Sequence, residues 1–181
     1  MIYLFLAQGF EETEAFATAD VLRRAGLDVT LAGVGGIEIT GAHGITVQAD
    51  ADAESLVPDE SLEAVVLPGG MPGTENLRKS RAVNSLIDWA ACHGKLVTAI
   101  CAAPSILGEK GLLAGKKCTA FPGYEEYFTD GEYTGACVEK DGNIITARGA
   151  GVSLEFGFAI VSVLCGKSKA EKLKEAMQCA R

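Results

Sequence analysis

Continuous apolar runs alternate along this chain with segments whose apolar positions recur at helical spacing. Ile2–Ala7, Ala64–Leu67 and Leu96–Ile100 are unbroken runs of β-forming and small residues, the pattern of strands buried on both faces. Val29–Ala32, Gly36–Ile39 and Ile45–Gln48 read as shorter strands split by GVGG and TGAHG, and Lys117–Ala120 as another. Ala136–Glu139 and Asn143–Ala147 read as a hairpin whose Asp141-Gly142 pair is a favoured turn. Helices are predicted over Thr13–Ala25, Ser80–Cys92, Ala102–Glu109, Ser153–Leu164 and Ser168–Cys179, with a short helical patch at Tyr124–Phe128. Gly26 stands where a left-handed residue closes the first helix. Ala49–Ser61 is acidic and interrupted by Pro58, and reads as a surface loop.

Apolar strands, each followed by a glycine-rich loop or a helix, argue a mostly parallel sheet with helices on both faces. There is no linker, repeat or low-complexity stretch, so residues 1–181 read as one α/β domain, long enough for a full core. In the first helix, Ala15, Phe16, Ala19 and Leu22 are assigned to that core, and in the Ser80–Cys92 helix Trp89 joins Leu86 and Ile87 in a buried stripe. Leu173, Ala176, Met177 and Ala180 share helical spacing, so the last helix is expected to lay that side on the body or on a partner. Doubly wound sheets bind ligands beyond the C-terminal ends of their strands. The residues just past Ala7, Leu67, Ile100 and Ala147 are therefore the candidates.

Charge narrows the choice of ligand. A formal net charge of −8 repels nucleic acid and anionic membranes. The N-terminal apolar run MIYLFLA has no Lys or Arg before it and is too short for a signal core, and no stretch reaches the roughly 20 apolar residues of a membrane span. The expectation is a soluble, cytoplasmic protein. The six cysteines, Cys92, Cys101, Cys118, Cys137, Cys165 and Cys179, form no CxxC and no Cys/His cluster, so no metal site is expected. A domain of this size in a reducing compartment has no need of disulfides, and its thiols default to small hydrophobes.

One thiol departs from that default. Cys101 follows strand Leu96–Ile100 directly and precedes Ala102, Ala103 and a helix, the strand-to-helix turn with small neighbours that makes a nucleophile elbow. A helix N-terminus there is expected to hold its pKa below the ordinary thiol range. Past Ala7 stands QGFEETEA, in which Glu11, Glu12 and Glu14 all lie in or near a first helical turn. Carboxylates there complement the helix dipole, and one could instead face the crevice as a proton donor; periodicity does not choose among the three. Past Leu67 stands Pro68-Gly69-Gly70-Met71-Pro72-Gly73, compatible with a tight turn or with backbone N–H groups aimed at a ligand, and not with a dinucleotide fingerprint. Past Ala147, Arg148-Gly149-Ala150-Gly151 reads by composition as a loop. The two histidines fit no triad: His93 belongs at the opposite end of the strand leading to Cys101, and His43 reaches a site only through a loop or a subunit contact.

Taken together, QGFEETEA, VVLPGGMPG, AICAAPSIL and ARGAGVSLEFG resemble the ThiJ/PfpI superfamily, in its branch of parkinsonism-associated deglycases. The motifs span nearly the whole chain. The resemblance implies a flavodoxin-like three-layer α/β sandwich, a homodimer, and a cofactor-free enzyme without metal. It implies Cys101 as nucleophile, Glu14 as its acidic partner, and the N–H groups of Gly70 and Ala102 as an oxyanion site. It further implies a substrate pocket that includes Arg24 near a dimer interface, His43 where relatives carry an arginine, Phe121 where a relative carries a histidine, and Gly149 and Ala150. Ala102 stands where protease-like relatives have histidine, which argues against peptidase activity. The implied activity is conversion of α-oxoaldehydes such as methylglyoxal to hydroxy acids, or removal of their adducts from glycated proteins. The rival is an oxidative-stress sensor or redox-regulated chaperone acting through Cys101.

Overall fold

A computed structural model describes residues 1–179. The chain runs β1 (Ile2–Ala7), α1 (Glu12–Arg24), β2 (Val29–Val34), β3 (Glu38–Thr40), β4 (Thr46–Gln48), β5 (Ala51–Asp52), β6 (Ala64–Leu67), α2 (Gly73–Lys79), α3 (Arg81–Cys92), β7 (Leu96–Ile100) and α4 (Pro104–Glu109). It continues through β8 (Lys117–Cys118), β9 (Glu132–Tyr133), β10 (Val138–Asp141), β11 (Ile144–Ala147), α5 (Ser153–Cys165) and α6 (Lys167–Ala176). Seven strands form one sheet in the order β10-β11-β7-β6-β1-β2-β5, parallel except for β10. Small two-stranded sheets, β3-β4 and β8-β9, flank it.

Strand alternation explains the unbroken apolar runs. Along β1, Ile2, Leu4 and Leu6 enter one core with α1, α5 and α6, while Tyr3, Phe5 and Ala7 enter a second with α2, α3 and α4. A strand covered on both faces admits a polar side chain only where it is hydrogen-bonded, as Thr98 of β7 is to the Val65 carbonyl. This is the expected α/β sandwich. On the first face α1 and α5 meet where Gly157 faces Val21: a Cβ on Gly157 would lie 2.9 Å from the Val21 Cβ. Ser80 and Glu11 cap α3 and α1 through their side chains, and Gly26, at φ +83°, closes α1 as expected.

Several local expectations are corrected. The Ala49–Ser61 segment is not all loop: β5 pairs in parallel with β2 through Ala32↔Ala51 and Gly33↔Asp52. Helix α2 is additional; its single buried large apolar residue, Leu77, is too little periodicity to announce a helix. Helix α4 starts at Pro104, leaving Cys101–Ala103 as a turn. The hairpin turn is Gly142-Asn143, since Asp141 pairs with Ile144. Trp89 is half-buried and stacks on His93 at 4.0 Å between centroids. Leu173 and Met177 pack on the first core, Ala176 is exposed, and Ala180 lies outside the described residues.

Candidate active site

Cys101 stands at the C-terminal end of β7 with φ +65°, a left-handed conformation that a side chain rarely adopts. The strain is held from two sides. The Cys101 N–H donates to the Ala147 carbonyl at 2.9 Å, and its carbonyl accepts from the Phe121 N–H at 2.9 Å. Buried Ala102 and Ala103 supply the small neighbours that such a sharp turn needs. The N–H groups of Ala102 and Gly70 face the sulfur and favour its negative charge. Gly69 completes the approach of the β6 loop to the elbow: a Cβ there would lie 2.7 Å from the Cys101 Cβ and 2.8 Å from Glu14 Oε2.

The first turn of α1 gives its three glutamates three separate tasks. Glu11 is the N-cap, accepting from the Glu14 N–H at 2.6 Å. Glu12 turns toward the 41–45 loop, where Oε1 accepts from the His43 and Ile45 N–H groups at 2.8 and 3.4 Å and Oε2 lies 2.8 Å from His43 Nδ1. Glu14, only 1% exposed, faces the crevice. Its Oε2 accepts from the Gly69 N–H at 2.7 Å, while the buried Oε1 has no hydrogen-bond partner, and Cys101 is the titratable group beside the carboxyl.

Burial raises the Glu14 pKa to about 7, against the pull of the Gly69 hydrogen bond and the neighbouring Cys101 thiol. Burial, and next the Glu14 charge, push the Cys101 thiol up to about 12, although the Ala102 and Gly70 N–H groups pull it down. The expectation of a thiol acidified by a helix end is thereby corrected. The N–H donors exist, but a dry site and a carboxylate neighbour outweigh them. Between its first and second ionisations the pair holds one proton, because the second would set two negative charges side by side.

The remaining expected residues divide. Phe121, Gly149 and Ala150 do come together, lining a cleft of about 390 Å³ with Arg148. The Phe121 ring is half exposed and packs on Gly149. His43 does not line that cleft; it is the exposed partner of buried Glu12, and burial's upward push on the Glu12 carboxyl is outweighed by the His43 hydrogen bonds, which hold it below the ordinary range. Arg24 is not at the site of its own chain. It pairs with Asp20 at 2.6 Å, about 15 Å along α1 from Glu14 at 1.5 Å of rise per residue. His93 caps α3 at the far end of β7, as expected. Among the described residues, Glu11, Glu12 and His43 are the set whose candidate ligand atoms lie within 4.8 Å of one another, and both Glu12 oxygens already accept hydrogen bonds. The roles of Glu12 and Gly69 were missed; neither is marked by its type or spacing.

A model of the DJ-1/PfpI family matches residues 1–163. The chain belongs to that family. Among DJ-1/PfpI relatives, it is 36% identical over 180 residues to protein dj-1beta of Drosophila melanogaster, covering 98% of this chain and 96% of that one. It is 37% identical to the Parkinson disease protein 7 homolog of Danio rerio, covering 94% and 93%. A Caenorhabditis elegans relative, 30% identical over 94% of this chain and 91% of its own, is named glutathione-independent glyoxalase DJR-1.2. The solved structure of oxidized Toxoplasma gondii DJ-1 superposes with a TM-score of 0.94 at 32% identity, covering 99% and 98%. The expected family and sandwich are thus shown. Among the described residues, no helix is long and apolar enough to cross a membrane.

Proposed function

We propose that this DJ-1/PfpI protein converts α-oxoaldehydes such as methylglyoxal to 2-hydroxy acids without a cofactor, or removes their early adducts from proteins. The observation that carries this reading is geometric: Cys101 stands at φ +65° beyond β7 with the buried Glu14 carboxyl, held by the Gly69 N–H, beside it, and the pair can pass one proton between sulfur and carboxyl. When the proton sits on Glu14, the sulfur is a thiolate facing an acid. The thiolate adds to the aldehyde carbon as Glu14 protonates the aldehyde oxygen, giving a hemithioacetal. The Glu14 carboxylate then takes the hydrogen from that carbon and returns it to the neighbouring one, while the hydroxyl proton passes to the former ketone oxygen. The result is a thioester of the 2-hydroxy acid. Water hydrolyses it, releasing lactate and restoring the thiol. The Gly70 and Ala102 N–H groups stabilise negative charge on oxygen as it develops. Phe121, Gly149 and Ala150 line the cleft next to the elbow, tied to it by the Phe121 N–H on the Cys101 carbonyl, and Ala102 offers no base for peptide hydrolysis. The name of the C. elegans relative supports a glyoxalase of this kind. A cytoplasmic homodimer is part of the same proposal.

Lactate formation from methylglyoxal with substoichiometric protein tests the reading, because a scavenging thiol cannot turn over. Cys101→Ala and Glu14→Gln are each expected to lose at least about a hundredfold in kcat. Wild-type rates in both variants would sink the mechanism.

A sensor role has one specific support, that the T. gondii relative was solved in oxidized form. Two equivalents of peroxide oxidise a thiol to a sulfinic acid with release of two waters, and protonated Glu14 is placed to hydrogen-bond that product. Peptide mass mapping after mild peroxide should then find the added oxygen on Cys101; an even spread over the exposed Cys92, Cys137 and Cys165 would count against it.

A further inference from the structure

The two N–H groups aimed at the Cys101 sulfur come from different parts of the chain, and something must keep them in register. Gly70 precedes α2, whose first turn grips it: the Thr74 N–H donates to the Gly70 carbonyl at 2.9 Å. Ala102 precedes α4. Its own carbonyl accepts from the Ser105 hydroxyl at 2.6 Å and from the Ser105 N–H at 3.1 Å. The preceding peptide, which carries the Ala102 N–H, is fixed at its oxygen by Phe121. The Ala102 N–H moves with the Cys101–Ala102 plane, and that plane shares the Ala102 Cα with the plane that Ser105 holds, so a shift at Ser105 moves the pivot of the N–H.

Arg78 joins the two sides. It extends from α2, and its Nη2 donates to the Ser105 hydroxyl oxygen of α4 at 2.8 Å. The same guanidinium pairs through Nη1 with Glu109 on α4, lies 3.4 Å from Glu75 through Nε, and stands 5.2 Å over the Tyr127 ring. Ser105 is fully buried and has one hydroxyl hydrogen, which it gives to Ala102; the charged donor on its other side leaves it no alternative orientation. A flat fork with several donors can hold Glu109 and Ser105 at once, which a lysine cannot.

We infer that Arg78 is a positioning residue for the oxyanion cradle, acting through Ser105 on the Ala102 peptide. It touches neither substrate nor sulfur. The inference rests on Cys101 as the reacting group, and not on which reagent the thiol meets.

The test is the rate of iodoacetamide alkylation of Cys101, mapped by peptide mass against the exposed Cys92 and Cys137 of the same molecules, together with methylglyoxal kinetics. Arg78→Met and Ser105→Ala should each slow Cys101 roughly tenfold and lower kcat with KM unchanged, leaving Cys92 and Cys137 at wild-type rates. Because the two act in series, the double variant should be no slower than either single one. Glu109→Gln removes an ion-pair partner of Arg78 and leaves Ser105 in place, so its Cys101 should react as in wild type. Unchanged alkylation in folded Arg78→Met, or additive losses in the double variant, would overturn the inference. Should Arg78→Met not fold, unchanged Cys101 alkylation in Ser105→Ala overturns it equally. Alkylation needs no aldehyde, so a protein inactive on methylglyoxal still decides the matter.

Discussion

Cys101 and Glu14 have two ionisations but room for one negative charge. The form with one proton is reached as the first proton leaves, near the Glu14 value of about 7. Below that point kcat/KM should rise about tenfold per pH unit and then level off, and Glu14→Gln should abolish the inflection; a pH–rate series checks both. Stability moves in the opposite sense. The fold keeps Glu14 protonated up to about 7, whereas an unfolded chain releases that proton near 4.5. Stability therefore falls as pH rises between those values, by on the order of 3 kcal/mol, and urea titrations across the window should show a flatter profile for Glu14→Gln. The Cys101 backbone adds a second cost, because φ +65° suits glycine. Cys101→Gly should be more stable than Cys101→Ala by about 1 kcal/mol, with both inactive, as thermal melts and the lactate assay would show. A nucleophile held in that conformation is a site where stability yields to function.

At the level of elements, legibility followed burial. Strands β1, β6 and β7 were readable because each feeds alternate residues into two cores, which forces an unbroken apolar run. Helix α2 and strand β5 were not, since each is short and exists by docking: α2 on Leu77 and the Gly70 turn, β5 on the edge of β2. The elbow was legible from Cys101 and its small neighbours, but the ranking of its electrostatics was not, because burial and the Glu14 charge depend on helix α1, whose Glu14 stands 55 residues away in the chain from Gly69. The three glutamates show the same limit. Their spacing on α1 could not say that Glu12 faces the 41–45 loop and Glu14 the sulfur. Glu12 fastens that loop to the turn carrying Glu11 and Glu14, with the His43 imidazole as its partner. Glu12→Ala leaves the His43 and Ile45 N–H groups without their acceptor and should cost about 3 kcal/mol, with new proteolytic cleavage between residues 41 and 45. Wild-type melting and an intact loop would show that the clasp carries no load.

At the level of the whole molecule, a second chain is what one fold cannot supply. The family resemblance puts Arg24 in the substrate pocket, yet within one chain it lies about 15 Å along α1 from Glu14 and pairs with Asp20. Both statements hold together if the protein is a homodimer in which Arg24 of one copy approaches Cys101 of the other. That arrangement has a consequence no single-chain site shares. Arg24→Ala and Cys101→Ala homodimers would each be impaired, the first at the pocket and the second at the nucleophile. A mixed dimer would hold one site with Cys101 from one chain and Arg24 from the other, and one site lacking both. After denaturation and refolding of equal amounts together, half the dimers are mixed and each has one working site, so activity should return to about a quarter of wild type. If Arg24 served its own chain, mixing would restore nothing. If Arg24→Ala alone kept full activity, Arg24 would have no part in the site, and its pairing with Asp20 would be its whole role.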